Sequence, residues 1–367
     1  MGAGAWRKHR MDAGNQNNPF AIRDLIIAPG TGANVSIPVS QQVTGLDSAL
    51  SLKVLNGSKR GACIFVSGAI HGDEIIGTAV IQRLIERLDP AALSGTIIFA
   101  PAVNIYGFVS HSRYLPDRRD LNRSFPGAER GSLAAQLAHC FLENVIDRCS
   151  LGIDIHSAAV HRYNLPQIRI AAGSPYLSEL AMAFGAPIII ESPLRPGSMR
   201  ALAADRETPM LLLEAGEALR FDRFSIEVGV AGVLRVLAHI GMIDADDGLE
   251  EVKVPLRASR SSWVRAPRGG VSRRACKSGD IVRKGELLAQ VGGLFGEEPE
   301  DLVSPIDGVV IGHATLPIVN QGDALFHIAE VETRGHAGED ADSIVEALAV
   351  SAPPFPATPL LDEDEVL

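Results

Sequence analysis

Long apolar runs are missing from this chain. No stretch of its 367 residues approaches the roughly 18 uninterrupted apolar residues of a membrane span. The opening MGAGAWRKHRMDAGNQNNPF has no apolar core of the kind a signal peptide needs. Cysteine is scarce: Cys63, Cys140, Cys149 and Cys276 form no CxxC pair. Three of them sit in apolar surroundings and read as reduced core residues of an intracellular protein. These absences make the cytoplasm the expected location and a membrane an unexpected partner. A basic excess is missing too. The net charge is −10, but 331–367 holds nine acidic residues and one basic, so −8 lies there and only −2 on the rest. That balance argues against a nucleic-acid partner.

What is present is the profile of a soluble globular protein, 46% hydrophobic and 21% charged, long enough for two domains. Residues 1–20 read as a flexible leader. From about 35 to 245, short β-branched runs alternate with longer helical patterns. Strands are expected at CIFVS (63–67), TIIFAPA (96–102), LGIDIH (151–156), QIRIAA (167–172), PIIIES (187–192) and MLLLEA (210–215). Helices are expected at 75–88, 132–148 and about 223–240, the second opening on Ser132 as N-cap. Such alternation predicts an α/β fold with a mixed, mostly parallel sheet sandwiched by helices. Ligands of such sheets gather beyond the carboxyl ends of the strands.

Near Glu251 the texture changes to short strands and glycine turns. The segment 266–291 parallels 304–329, both with Pro-x-x-Gly-Val and a later Gly-acidic step into Leu. Two such halves predict a small β-sandwich or barrel with quasi-twofold symmetry. After Glu330 the chain is acidic and proline-rich, the composition of a disordered tail. The expected boundaries are therefore 1–20, 21–250, 251–330 and 331–367.

The stretch GAIHGDEIIG (68–77) sets polar groups where a buried strand turns into a helix. His71 and Glu74 can face one point if the chain turns sharply between them, a turn Gly72 permits. Imidazole and carboxylate are the donors a catalytic zinc takes, in threes with an open fourth position. His156, closing the run 151–155, is the candidate third donor, with Asp154 on the same strand face to orient a ligand. Asp73 falls between the two ligands and is assigned to supporting the turn. Glu214, ending the run MLLLEAGE, is the candidate base for a bound water, with Glu217 second. HSRYLPDRRDLNRSFPG (111–127) carries Arg113, Arg118, Arg119, Arg123 and Asn122, the makings of an anion-binding lid. A solvated loop is the rival reading, with Arg118 and Arg119 beside Asp117 and Asp120.

Together these motifs resemble the succinylglutamate desuccinylase/aspartoacylase family, relatives of the zinc carboxypeptidases. The matching pieces are HGDE (71–74), RY (113–114) with DLNR (120–123), DIH (154–156) and EAG (214–216), in order over about 60 to 245. The resemblance implies a zinc-carboxypeptidase-like fold and one zinc per chain on His71, Glu74 and His156. It implies Glu214 as base and later proton donor, and Asn122 and Arg123 on the substrate carboxylate. Arg113 would stabilise the oxyanion; the RY-to-DLNR interval is longer here than in aspartoacylase proper, which makes Arg118 an alternative. A family arginine upstream of the catalytic glutamate has no clean match, leaving Arg200 and Arg206 as candidates. The C-terminal repeat resembles the barrel-sandwich hybrid of biotinyl and lipoyl domains. The lysine those carriers modify has no counterpart in GGLFGEEPED (292–301), so a structural cap is expected.

The implied activity is metal-assisted hydrolysis of a linear amide in a small anionic N-acyl amino acid. A carboxypeptidase taking a C-terminal, acidic residue from a short peptide is the alternative. A non-catalytic binding module is the third reading. The acyl group and any homo-oligomer stay open.

Overall fold

The computed structural model describes residues 16–41, 45, 47–244 and 254–331. Most of the expected leader, and all of the expected tail beyond Val331, lie outside the described residues.

A short hairpin, β1 (Phe20–Ile22) and β2 (Leu25–Ile27), precedes two long strands, β3 (Thr31–Gln41) and β4 (Asp47–Asn56). Then come β5 (Lys59–Gly68), α1 (Ile76–Arg87), β6 (Ser94–Ala100), α2 (Ile105–Val109) and α3 (Leu133–Asn144). The second half of this unit runs β7 (Leu151–Ala158), β8 (Arg162–Ile170), α4 (Pro175–Phe184) and β9 (Ile188–Glu191). It ends with α5 (Met199–Asp205), β10 (Met210–Glu217) and α6 (Arg223–His239).

The strands form one mixed sheet in which β6, β5, β7 and β10 are consecutive parallel neighbours. The antiparallel strands flank them: β4 pairs β6 on one side and β8 pairs β10 on the other. Strand β5 explains why helices cover both faces. Ile64 and Val66 point into a core shared with α1, α4 and α6, while Phe65 points into a second core with α3 and α5. A strand buried on both sides reads as a continuous apolar run, as CIFVS does. Each such fully buried side chain contributes roughly 1.5–3 kcal/mol.

Several expectations shift. The helix expected over 132–148 stops at Asn144, and Ile146–Arg148 forms a separate 3-10 turn beyond an irregular Val145. Ser132 caps it as expected, its Oγ accepting from Ala135 N at 3.3 Å. The strand expected at 167–172 runs instead from Arg162 to Ile170, with Pro166 inside it. Pro166 is tolerated between two pairing segments: Arg162 to Asn164 partner a C-terminal strand, and Gln167 onward partners β9. The hairpin of β3 and β4 was not anticipated as strands, although Val35, Ile37, Leu50, Leu52 and Val54 alternate inward.

Between residues 254 and 331 the described elements are all strands: β11 (Leu256–Ala258), β12 (Arg260–Arg265), β13 (Gly270–Arg274), β14 (Ile281–Val282) and β15 (Leu287–Gly292). β16 (Glu300–Val303), β17 (Gly308–Ala314), β18 (Ile318–Val319) and β19 (Ala324–Glu330) complete it. The sequence echo has a structural counterpart. The short strand of each half crosses to the other, β14 pairing β17 and β18 pairing β13. This unit is not merely appended. β17 pairs antiparallel with β8, so the central sheet runs on into β19 and β12. Among the described residues, no helix is long and apolar enough to cross a membrane.

Candidate metal centre and substrate cleft

Parallel β5, β7 and β10 end at one edge of the sheet, and the candidate residues collect there. Register sets the alignment: Gly68 is opposite Ile155, and His156 is opposite Glu214. The chain leaves β5 through Ala69, which holds a left-handed φ of 49°. The turn is then pinned by Val103 N to Gly68 O and Asn104 N to Ala69 O, at 3.0 and 2.9 Å. Gly72 has a role different from the one expected. The left-handed residue is Ala69, and Gly72 is required by space: a Cβ there would lie 1.9 Å from the Gly107 carbonyl carbon in α2. Asp73 supports the turn through its backbone carbonyl, which accepts from Leu219 N at 2.9 Å.

Three buried side chains converge. His71, Glu74 and His156 each offer a donor atom, all within 4.8 Å of one another. His71 Nδ1 lies 2.6 Å from Glu74 Oε1, and His156 Nδ1 lies 2.7 Å from Glu74 Oε2. The far nitrogens face acids as well. His156 Nε2 is 2.7 Å from Asp154 Oδ2, and Ser67 Oγ donates to Asp154 Oδ1 at 2.7 Å. His71 Nε2 is 3.3 Å from Asp120 Oδ1, without hydrogen-bond alignment. Each imidazole is therefore bracketed by carboxylates on both nitrogens.

This bracketing fixes the electrostatics. Burial alone would push the His71 imidazole down, but the charge of Glu74, the close Asp120 carboxylate and the hydrogen bond with Glu74 raise it. At His156 burial is likewise overcome by Asp154 and Glu74, and the shift is well upward. Burial would raise the Glu74 carboxyl, yet the two imidazoles hold it well below the usual carboxylate range. The centre thus demands positive charge beside Glu74. Two imidazoles and a carboxylate, buried, with their outer nitrogens held by acids, fit a zinc ion by donor type, number and outer support.

The cleft above this centre has a volume of about 430 Å³, the size of a small-molecule site. Arg113 reaches it from the loop after α2. Its Nη1 is 3.1 Å from Glu74 Oε1 and its Nη2 3.1 Å from Asp120 Oδ2, while Asn104 Nδ2 holds its carbonyl at 3.2 Å. Asn122 and Arg123 line the cleft as well. Asn122 Oδ1 accepts from Met199 N at 2.9 Å, which leaves its NH₂ for a ligand. Arg200, in the first turn of α5, lines the cleft and donates to Ser192 Oγ and Ser192 O, both at 3.0 Å. Burial, with Arg169 and Arg195 close by, pushes its guanidinium down to about 10. Glu214 lines the same cleft, its Oε2 accepting from Asn164 Nδ2 at 3.0 Å.

Not every candidate arrives. Arg118 is exposed and does not line the cleft, so between the two arginines it is Arg113 that faces the centre. Arg206 pairs with Asp147 at 3.4 Å, away from it. Glu217 also stays outside, its Oε1 accepting from His161 N and Thr315 Oγ1. Residues not singled out in the sequence also line the cleft: Arg162, Asn164, Arg169, Arg195 and Trp263. For Arg169 a signal existed, an arginine between Ile168 and Ile170 in a β-branched run. Asp120, which the rival solvated-loop reading set beside Arg118 and Arg119, faces His71 and Arg113.

Fold and site define an α/β protein with a candidate metal centre at the carboxyl edge of its sheet and a β-rich C-terminal unit that continues that sheet. Residues 60–240 match the succinylglutamate desuccinylase/aspartoacylase catalytic domain, and this segment of the chain belongs to that family. It is 25% identical over 309 residues to the N-alpha-acetyl-L-2,4-diaminobutyric acid deacetylase of Halomonas elongata, spanning 81% of this chain and 90% of that protein. A succinylglutamate desuccinylase/aspartoacylase structure from Rhodobacter sphaeroides superposes with a TM-score of 0.72 at 28% identity, over 83% of this chain and 95% of that one. The product-bound ectoine utilization protein EutE from Ruegeria pomeroyi shares the fold, with a TM-score of 0.75 at 24% identity, over 86% and 99% of the two chains.

Proposed function

We propose that this protein is a zinc-dependent hydrolase that removes the acyl group from a small, anionic N-acyl amino acid. The observation that carries the reading is the convergence of His71, Glu74 and His156 with Glu214 in register beside them. The family, and the deacetylase activity named for the Halomonas relative, support it. Zinc on these three side chains supplies Lewis acidity and a more acidic bound water.

The chain's own residues do the rest. Glu214 takes a proton from the attacking water and returns it to the leaving amine nitrogen. Arg113 faces the developing oxyanion; two of its five N–H donors engage Glu74 and Asp120, and the others remain available. Asn122 Nδ2 and Arg123 take the substrate carboxylate. On this reading residues 21–250 are the hydrolase unit and 251–330 the cap, with Trp263 walling the cleft. A walled cleft favours a short acyl compound over a peptide.

The lining also bears on the substrate. Six arginines (113, 123, 162, 169, 195 and 200) face three acids, Glu74, Asp154 and Glu214, all engaged around the centre. That balance suits a substrate with more than one carboxylate better than one with a cationic side chain. The test is a panel of N-acetyl-L-glutamate, N-succinyl-L-glutamate, N-alpha-acetyl-L-2,4-diaminobutyrate and a short peptide ending in Glu. The zinc-loaded protein is expected to release amine from N-acetyl-L-glutamate or N-succinyl-L-glutamate, which carry two and three carboxylates. Turnover of the peptide alone overturns the deacylase reading, and a preference for the diaminobutyrate overturns the charge argument.

A further inference from the structure

Glu214 is held from one side by an amide that is itself held by the C-terminal strands. Asn164, buried on β8, donates from Nδ2 to Glu214 Oε2 at 3.0 Å. The reverse amide orientation would set a carbonyl oxygen against a carboxylate, so the donor end must face Glu214. On its other side Asn164 is registered with Gly312 of β17. A Cβ on Gly312 would lie 2.9 Å from Asn164 Oδ1 and 3.5 Å from His327 Cβ. Gly312 has no positive φ; what a side chain there would disturb is the amide oxygen of Asn164. Behind it, His327 of β19 donates to or accepts from Ser261 Oγ at 2.8 Å and stacks on Trp263 with ring centroids 4.2 Å apart. Glu214 itself sits at a register shift of β10, the kind of irregularity that re-aims a side chain.

We propose that Asn164 is a positioning residue for Glu214 and that Gly312 keeps its amide in place, so that the C-terminal strands set the aim of the base. The proposal rests on the reading of Glu214 as base. With Oε2 tied to Asn164, Oε1 is the oxygen left for the water, with Arg169 Nη1 at 3.9 Å as its nearest charged neighbour. Without Asn164 the carboxylate gains rotamers, and a base misplaced by about 1 Å can lose on the order of 10²-fold in rate. A substrate-binding role for Asn164 would instead appear in KM.

The experiment is a double-mutant cycle of Asn164→Ala and Gly312→Ala, assayed with whichever compound of the panel is turned over fastest. Zinc content, melting temperature and crystal structures are recorded alongside. Asn164→Ala is expected to lower kcat at least ~10-fold, with KM within about twofold and zinc content unchanged. Its crystal structure is expected to show the Glu214 carboxylate in a new or second rotamer. Gly312→Ala is expected to lower kcat in the same direction, and to cost nothing further once Asn164 is Ala, because no amide remains to displace. A kcat within twofold of the parent in Asn164→Ala, a loss confined to KM, or full additivity in the cycle overturns the proposal. Failure of the underlying reading looks different: Glu214→Gln would then keep its turnover. An inactive Glu214→Gln beside a normal Asn164→Ala defeats this proposal alone.

Discussion

Glu214 and His156 are registered partners on adjacent parallel strands, β10 and β7. Side chains paired this way share a face of the sheet, so the candidate base and a candidate ligand are set side by side by backbone hydrogen bonding alone. The neighbouring pair of Gly68 and Ile155 brings the end of β5 to the same edge. A strand slip of one residue would turn either side chain to the opposite face. The site therefore inherits its precision from the most buried part of the fold.

Glu214→Gln keeps the size and the Asn164 neighbour but removes the proton acceptor. It is expected to bind zinc at the parent stoichiometry and to lose at least ~100-fold in kcat. Metal analysis and steady-state kinetics on the same preparation check this. Near-normal turnover would assign the base elsewhere.

Asp154 acts on the centre through His156, accepting at 2.7 Å from Nε2 and so directing Nδ1 toward Glu74. Asp154→Ala removes that orientation and its charge. It is expected to weaken zinc binding about 10- to 100-fold, as loss of a carboxylate behind a ligating histidine does. Competition against a chelator of known affinity measures it. Removing the metal from the parent by chelation is expected to abolish turnover, and zinc to restore it.

Some of this was legible in the sequence and some was not, for physical reasons. His71, Glu74, His156 and Glu214 each end or follow an apolar run, and a polar donor there stands out against the periodicity. Asn164 lies in the part of β8 before Pro166, outside the expected strand, and its neighbours Gly216 of β10 and Gly312 of β17 are far away in sequence. Arg169 fell inside the expected strand, but its approach to the cleft depends on the sheet around it. Asp120 was not picked out as a site residue, because local spacing sets it beside Arg118 and Arg119. The fold pairs it with His71, 49 positions upstream, at 3.3 Å. Trp263 and Gly312 reach the site only because β17 extends the central sheet, and nothing in a one-dimensional pattern announces that pairing.

Gly72→Ala tests whether space or backbone conformation requires the glycine. The added Cβ would lie 1.9 Å from the Gly107 carbonyl carbon and 2.2 Å from Phe108 N. Both are backbone atoms, so α2 or the ligand turn must move. The expected cost is about 1–3 kcal/mol of stability, read as a lower melting temperature, together with weaker zinc binding. A variant with the parent melting temperature and metal content would show that α2 yields freely.

The C-terminal β-rich unit carries its own pH dependence. Burial, with Arg274 nearby, lowers the His313 imidazole from 6.5 to about 4, and burial with Arg169 lowers His327 from 6.5 to about 3. In the fold both stay neutral while the unfolded chain takes up protons below 6.5. Their contribution is thus full above pH 6.5 and is lost as pH falls toward about 4 for His313 and about 3 for His327. Each unit of displacement corresponds to about 1.4 kcal/mol. His71 and His156 act in the opposite sense, since raised imidazoles stabilise the metal-free fold at low pH and lose that contribution as pH rises. A difference measurement separates the two. Metal-free parent and a His313→Gln, His327→Gln double variant are melted from pH 7 down to pH 5. The parent's melting temperature is expected to fall more steeply than the variant's over that interval, and parallel curves would mean that the cap histidines are not buried neutral.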